Sequence, residues 1–433
     1  MNKSSSRPRE TKAAGFDPHA LLEKRLRERR KQEGIPDGVD PSEPISSEVF
    51  SARALCEVSA SRLVANARAI SELVPGRALL PMVKANAYGH GASWAVTQLL
   101  GGLDSIYAFG VASLEEGAEL REEVPLLGRR RIPIVAFSGT GPFTSEKGAY
   151  CEHFGLTPVL YTEEDFRRFL KEGWAARVQY HLKFNTGMNR LGLPVESIQR
   201  VRSELSKLDP EQRPQGVLSH LAMAEAADSA LTRKQVEKFT QIRRELEPVS
   251  PASQFHLANS SAIWNAQELG ISELTDLVRP GLALYGVTPW GGAPMRGISP
   301  VLRLSAEVVQ VHTLKAGESV GYGAQFKVPG SAQKPVRVAI LNCGYADGLP
   351  RLLKGVGGAT GGQAWLGGRA VRFLGVISMD MSAVECGDSV RPGDRAELLG
   401  PQIDPWTQAQ AAQTIPYELL TSITARVRRR EGP

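Results

Sequence analysis

At 433 residues, 42% hydrophobic and 23% charged, the chain has the balance of a globular enzyme and room for a barrel plus a second domain. No run approaches the roughly 18 uncharged apolar residues of a membrane span, and the charged, Pro/Ser-rich N-terminus lacks an apolar signal core, so a cytoplasmic, non-membrane protein is expected. The net charge of +6 is concentrated in residues 1–34, where ten basic residues face five acidic ones, and the near-neutral body argues against nucleic-acid binding as the main function.

Residues 1–50 read as a basic, solvated and disordered extension, with two or so amphipathic helical turns available over Leu21–Arg30. A Pro/Gly/Asp-rich linker, Gly34 to Pro44, lies in its second half. From about Leu79 to Tyr285 short apolar runs then alternate with longer helical stretches, the pattern of parallel βα units, within a barrel domain expected over 54–290. Strands are expected at Leu79 to Lys84, Ile106 to Val111, Ile132 to Phe137, Thr157 to Tyr161, Val178 to Phe184, Gly216 to His220, Gln254 to Leu257 and Leu277 to Arg279. Eight such units close into an α/β fold of the (β/α)8 TIM type, with chemistry at the C-terminal strand ends. From Ser299 to Pro433 the pattern changes to β-type alternation with hairpin punctuation, so a mostly β C-terminal domain is expected. The Gly-rich stretch Gly355 to Gly368 opens no helix and reads as a loop, not a phosphate-binding motif. The four cysteines, Cys56, Cys151, Cys343 and Cys386, have no CxxC spacing; they read as small buried residues, with no disulfide framework and no metal site.

Several short runs carry chemistry. Pro81-Met82-Val83-Lys84-Ala85-Asn86-Ala87-Tyr88-Gly89-His90-Gly91 puts a lone lysine after an apolar strand and before a glycine-bounded turn. An amine there forms a Schiff base with an aldehyde once its pKa is drawn down from about 10.4 by burial and neighbouring cations. In Val278-Arg279-Pro280-Gly281-Leu282 the amides of Gly281 and Leu282 can cradle phosphate oxygens. Further runs follow in chain order: His181 to Gly192, His220, Asn259-Ser260, Val320-Gly321-Tyr322-Gly323-Ala324, Gly344-Tyr345-Ala346-Asp347-Gly348, Ser378-Met379-Asp380 and Pro416-Tyr417-Glu418.

This series, spanning Ala54 to Arg430, resembles the pyridoxal-phosphate-dependent alanine racemase family. The resemblance implies that Lys84 carries pyridoxal 5'-phosphate, and that Tyr88, His220, Asn259, Ser260, Arg279, Gly281, Leu282 and Tyr417 bind it. It places Arg279 opposite the pyridine nitrogen, where an arginine donates a hydrogen bond without giving up its proton. Lys84 and Tyr322 become the two catalytic bases. A phenol needs about 4 kcal/mol of environmental bias to act as a base at neutral pH. The resemblance further assigns Arg190, Met379 and Tyr345 to the substrate, makes Lys183 a candidate for carbamylation, and implies a homodimer in which Tyr322 reaches the partner's site. Alanine is the favoured substrate, for D-alanine and peptidoglycan. A serine or broad-specificity racemase is the alternative, and a non-catalytic carrier of the cofactor is the reading from a different class. The arginine at position 279 speaks against the related decarboxylases.

Overall fold

The computed structural model describes residues 53–432, except 289, 291–296 and 357–360. The basic extension expected over 1–50 lies outside the described residues.

The first strand, β1 (Ala54–Val58), is buried along its whole length and is followed by the helix Ala60–Leu73. The barrel strands come next: β2 (Ala78–Leu79), β3 (Phe109–Val111), β4 (Ile134–Ala136), β5 (Leu156–Leu160), β6 (His181–Asn185), a two-residue β7 (Leu193–Pro194) beside β6, β8 (Gly216–Leu218), β9 (Gln254–His256) and β10 (Leu277–Val278). They are short and apolar because parallel strands wrapped by helices are buried on both faces. β3, β4, β5, β6, β8 and β9 pair in that order, all parallel, and β10 pairs with β2. The two remaining seams are closed by the parallel bridge between Met82 and Gly110 and by the amides of Asp276 and Arg279, which donate to the carbonyls of Phe255 (2.8 Å) and Ala258 (2.9 Å). All eight expected strands are therefore present.

The strand expected over Leu79 to Lys84 is shorter than its apolar run. Pro81 has no amide to continue the ladder, and beyond it the chain makes single bonds to both neighbours, Met82 N to Pro280 O (2.9 Å) and Val83 N to Gly110 O (2.8 Å). Lys84 accordingly opens a helical turn, Lys84–Tyr88, rather than ending a strand.

The second domain is built around the long β11 (Leu302–Leu314), with β12 (Ser319–Val320), β13 (Phe326–Lys327), β14 (Val336–Leu341), β15 (Gln363–Leu366), β16 (Arg369–Arg372), β17 (Ser382–Glu385), β18 (Arg395–Leu399) and β19 (Arg428–Glu431). One correction concerns its first strand. The barrel segment was expected from residue 54, but β1 pairs with β11 antiparallel and with β19 in parallel, so 54–58 belong to the β sheet. Glu57 explains the preference: its carboxylate pairs with Arg303 of β11 (2.6 Å) and Arg430 of β19 (2.8 Å). The glycine-rich stretch expected as a loop contains β15, which pairs with β16 through a hairpin. The four cysteines are buried and free; burial pushes the thiols of Cys56, Cys151 and Cys343 up to about 12, so they are packing residues. No helix among the described residues is long and apolar enough to cross a membrane.

Candidate active site

A cavity of about 340 Å³ opens at the C-terminal ends of the barrel strands, and Lys84, Tyr88, Lys183, Arg190, His220, Asn259, Ser260, Arg279, Gly281, Leu282 and Tyr417 are among its lining residues. The fold thus brings together ten of the thirteen expected site residues, all those of the barrel motifs and Tyr417, and adds Lys183.

Lys84 is presented by an unusual piece of backbone. Ala85, Asn86, Ala87 and Tyr88 all have φ between 50° and 54°, a left-handed turn that costs about 1–2 kcal/mol per non-glycine residue. Its surroundings hold it in place. His90 Nδ1 lies 3.0 Å from the carbonyls of both Ala87 and Tyr88, so that nitrogen carries the proton and donates it. The Asn86 side chain accepts from the Ala92 amide (2.8 Å). Gly89 (φ 83°) closes the turn, and a Cβ there would collide with the carbonyl of Leu420. The ring of Tyr88 packs between Tyr285 (5.0 Å) and Tyr417 (6.0 Å), and the Tyr285 hydroxyl donates to the Met82 carbonyl (2.8 Å). Burial first, then Arg190, draws the Lys84 amine below its ordinary pKa against the opposing pull of Glu116.

A second group of lining residues is organised by Arg279, which is only 4% exposed. Its guanidinium donates to the carbonyls of His256 (2.9 Å), Ser219 (2.8 Å) and Leu257 (3.1 Å) and to His256 Nδ1 (2.9 Å). Because arginine only donates, His256 must accept at Nδ1 and carry its proton on Nε2, which lies 3.1 Å from His181 Nδ1. One arginine therefore sets the tautomers of two buried histidines. Arg279 also approaches His220 Nδ1 (3.4 Å). Burial lowers its pKa to about 9, still above neutrality, so it remains a cation. His181 falls to about 3 through burial and Arg279. Burial and then Arg279 hold His220 and His256 well below the usual histidine range, which leaves all three imidazoles neutral. Lys183 on β6 is lowered to about 8 by burial, Arg190, Arg279 and Lys84 in turn.

Asn259 and Ser260 form a polar cradle next to Gly281. Asn259 caps the turn Ser260–Trp264 by accepting from the Ala262 amide (3.0 Å). The Gly281 amide, expected to face an anion directly, instead donates to Ser260 Oγ (3.0 Å), as does that of Ala283 (3.3 Å). With both acceptor sites of Ser260 engaged, its O–H is left to donate into the cavity. Gly281 is required by space: a Cβ would strike the Tyr88 hydroxyl.

Three expected residues do not line this cavity. Tyr322 is 75% exposed, and Tyr345 and Met379 are also exposed. They occupy adjoining loops: the Tyr345 amide donates to Ser378 O and the Ala346 amide to Met379 O (3.0 Å each), and Gly321 beside Tyr322 abuts Val376. The residue-by-residue reading of the sequence passed over His181, His256 and Glu116. His181 was detectable, because it lies two residues before Lys183 and must share its face of the strand; the other two act through contacts between distant segments.

A (β/α)8 barrel with a lysine-bearing, cation-lined mouth, joined to a β domain, defines the class of barrel enzymes that work through an amine-bound anionic cofactor. The family profile described as alanine racemase, N-terminal domain, matches residues 58–289, and that for the C-terminal domain matches 301–431. The chain belongs to the alanine racemase family. It is 35% identical over 360 residues to the biosynthetic alanine racemase of Pseudomonas aeruginosa, covering 82% of this chain and 92% of that protein, and 32% identical to an alanine racemase of Legionella pneumophila, covering 86% and 97%. The crystal structure of alanine racemase from Bartonella henselae with covalently bound pyridoxal phosphate superposes with a TM-score of 0.75 at 29% identity, covering 88% of this chain and all of that one.

Proposed function

We propose that this chain is a pyridoxal 5'-phosphate-dependent racemase that interconverts L- and D-alanine and supplies D-alanine for peptidoglycan in the cytoplasm. The observation that carries this is the charge of the cavity. Lys84, Lys183, Arg190 and Arg279 line it, and among the described residues no carboxylate does, so it suits ligands that bring negative charge at more than one point. A phosphorylated pyridine aldehyde and the carboxylate of an amino acid meet that demand together. The donors also fit the cofactor in kind. Lys84 offers an amine of lowered pKa, Arg279 a permanent donor, His220 a neutral ring, and Ser260, Leu282, Tyr88 and Tyr417 an anchoring end for phosphate, with Asn259 and Gly281 fixing the cradle.

Bound there, pyridoxal phosphate would withdraw electrons from the substrate Cα and make its proton labile. The chain's own groups do the rest. Lys84 Nζ takes and returns a proton on one face of Cα, and the Tyr322 oxygen of a second copy of the chain serves the other. Arg279 donates a hydrogen bond while keeping its proton, which limits charge build-up and favours a rapid proton exchange over transamination. Arg190 faces the substrate side, positioned by Lys183, whose pKa of about 8 leaves a share of neutral amine able to take up carbon dioxide as a carbamate. Tyr345 narrows the entrance to small side chains, and the backbone at Met379 receives the substrate carboxylate; both come from the partner with Tyr322.

Chiral chromatography of L-alanine and L-serine, incubated separately with the cofactor-loaded protein beside a Lys84→Ala variant, tests this. Conversion of L-alanine well ahead of L-serine, lost in the variant, is expected. Equal conversion of both would replace alanine by a broad substrate range, and no conversion of either would overturn the racemase in favour of a carrier.

A further inference from the structure

Glu116 is a carboxylate set beside the cationic mouth, outside the cavity lining, with both oxygens engaged. Oε1 accepts from the Ala85 amide (2.9 Å) and Oε2 from the Ala112 amide (2.7 Å). Ala85 directly follows Lys84 and is the first residue of the left-handed turn; Ala112 directly follows β3. One side chain therefore ties the ends of two neighbouring barrel strands together at the residue after the cofactor lysine.

The carboxylate is itself held. It lies in the first turn of the helix Leu114–Glu123, where Ser113 caps the helix by accepting from the Glu116 amide (3.3 Å). The Ala85 amide stands at the start of a turn whose internal bonds begin later, with Ala87 N to Val83 O (2.8 Å) and Gly89 N to Ala85 O (3.0 Å), so Glu116 satisfies the donor that fixes the turn's entry. The remaining clamps, His90 and Asn86, act at its exit. Rotation at Ala85 would swing the Lys84 side chain, because the two share a peptide unit.

We propose that Glu116 is a positioning residue for Lys84, fixing the backbone at the head of the left-handed turn so that the lysine amine is aimed into the cavity and its bond to the cofactor is long-lived. It rests on the proposed function, since it presumes that Lys84 bonds pyridoxal phosphate.

The test uses full-length protein loaded with pyridoxal 5'-phosphate, and follows the visible circular dichroism of the lysine adduct and the rate of cofactor release into an excess of apoenzyme trap. Glu116→Ala removes both acceptors, Glu116→Gln keeps one, and Glu116→Asp is too short to reach both amides. Glu115→Gln, which removes the same charge one residue away without touching the turn, is the control. Release at least tenfold faster in Glu116→Ala, with an intermediate rate in Glu116→Gln, a weakened dichroic band and an unaltered Glu115→Gln, is expected from the loss of hydrogen bonds to a charged acceptor. If Glu116→Ala does not fold, the glutamine and aspartate variants carry the same comparison. Release and dichroism within twofold of wild type in these variants would overturn the assignment, even if thermal stability of the apoprotein fell, because Glu116 would then only join two loops. Absence of any adduct in the wild-type protein would instead overturn the proposed function.

Discussion

Lys183 lies on β6 with only 6% of its surface exposed, and its folded pKa near 8 stands below its ordinary value of 10.5. The depressed value means that folding disfavours its charged form. Between pH 8 and 10.5 the unfolded chain binds the extra proton, so stability rises with pH across that window, while below it the full penalty, up to about 3 kcal/mol, is present. Lys183→Met is therefore expected to raise the denaturation midpoint at pH 7 and to lose its advantage by pH 10. Urea titrations of both proteins in carbon-dioxide-free buffer check this, and equal midpoints at pH 7 would show that no buried charge is being relieved. Gly281 makes the complementary case, where space alone decides. A Cβ there meets the Tyr88 hydroxyl, so Gly281→Ala is expected to weaken pyridoxal phosphate binding tenfold or more and to lower apoprotein stability by about 1–3 kcal/mol; equilibrium dialysis and urea denaturation measure the two. Such residues are legible in sequence because a lysine, an arginine or a glycine in a tight run has few chemical uses. Arg279 was readable in this way. His256, which Arg279 fixes in one tautomer, was not, since nothing in Gln254–His256 records which side chain will face it.

At the scale of elements, Glu57 joins three strands at once. Burial alone would raise its pKa, but hydrogen bonds and charge from Arg430 and Arg303 outweigh that and hold it below the usual carboxylate range. A lowered carboxyl contributes stability above its unfolded pKa of about 4.3 and loses it as pH falls through the folded value. Glu57→Gln is thus expected to cost about 1–2 kcal/mol at neutral pH, discounted because both arginines are half exposed, and to cost progressively less in acid below pH 4. Denaturation curves at pH 7 and pH 3 decide it; a pH-independent difference would mean that packing, not charge, links β1 to β11 and β19. The same contact explains a limit of the sequence. The βα alternation revealed the barrel, since apolar periodicity is local, but the barrel segment was bounded at residue 54 and so took in β1. Its membership of the β sheet depends on partners about 250 and 370 residues away, Arg303 and Arg430, which no local pattern encodes.

At the scale of the whole molecule, the cavity holds one of the two proposed bases and lacks the other. Lys84 lines it, whereas Tyr322 sits on an exposed hairpin turn beside the loops of Tyr345 and Met379. Those three residues were readable as motifs, but the sequence of one chain does not tell whether a motif serves its own site or a neighbour's. If Tyr322 serves a second copy, each active site is assembled across a two-fold interface, and the defects of Lys84→Ala and Tyr322→Phe become separable by mixing. A homodimer of either variant has two damaged sites. A hybrid has one site with both defects and one with neither. Random exchange makes half of all dimers hybrids, and each hybrid retains one of two sites, so unfolding and refolding an equal mixture should restore about one quarter of wild-type racemisation. Recovery near that level, rising and falling with the mixing ratio, is the expected outcome. No recovery, with hybrid dimers verified by a tag on one variant, would mean that Lys84 and Tyr322 act within a single chain, and the exposed tyrosine would then have to reach its own cavity by a movement of the β12–β13 hairpin.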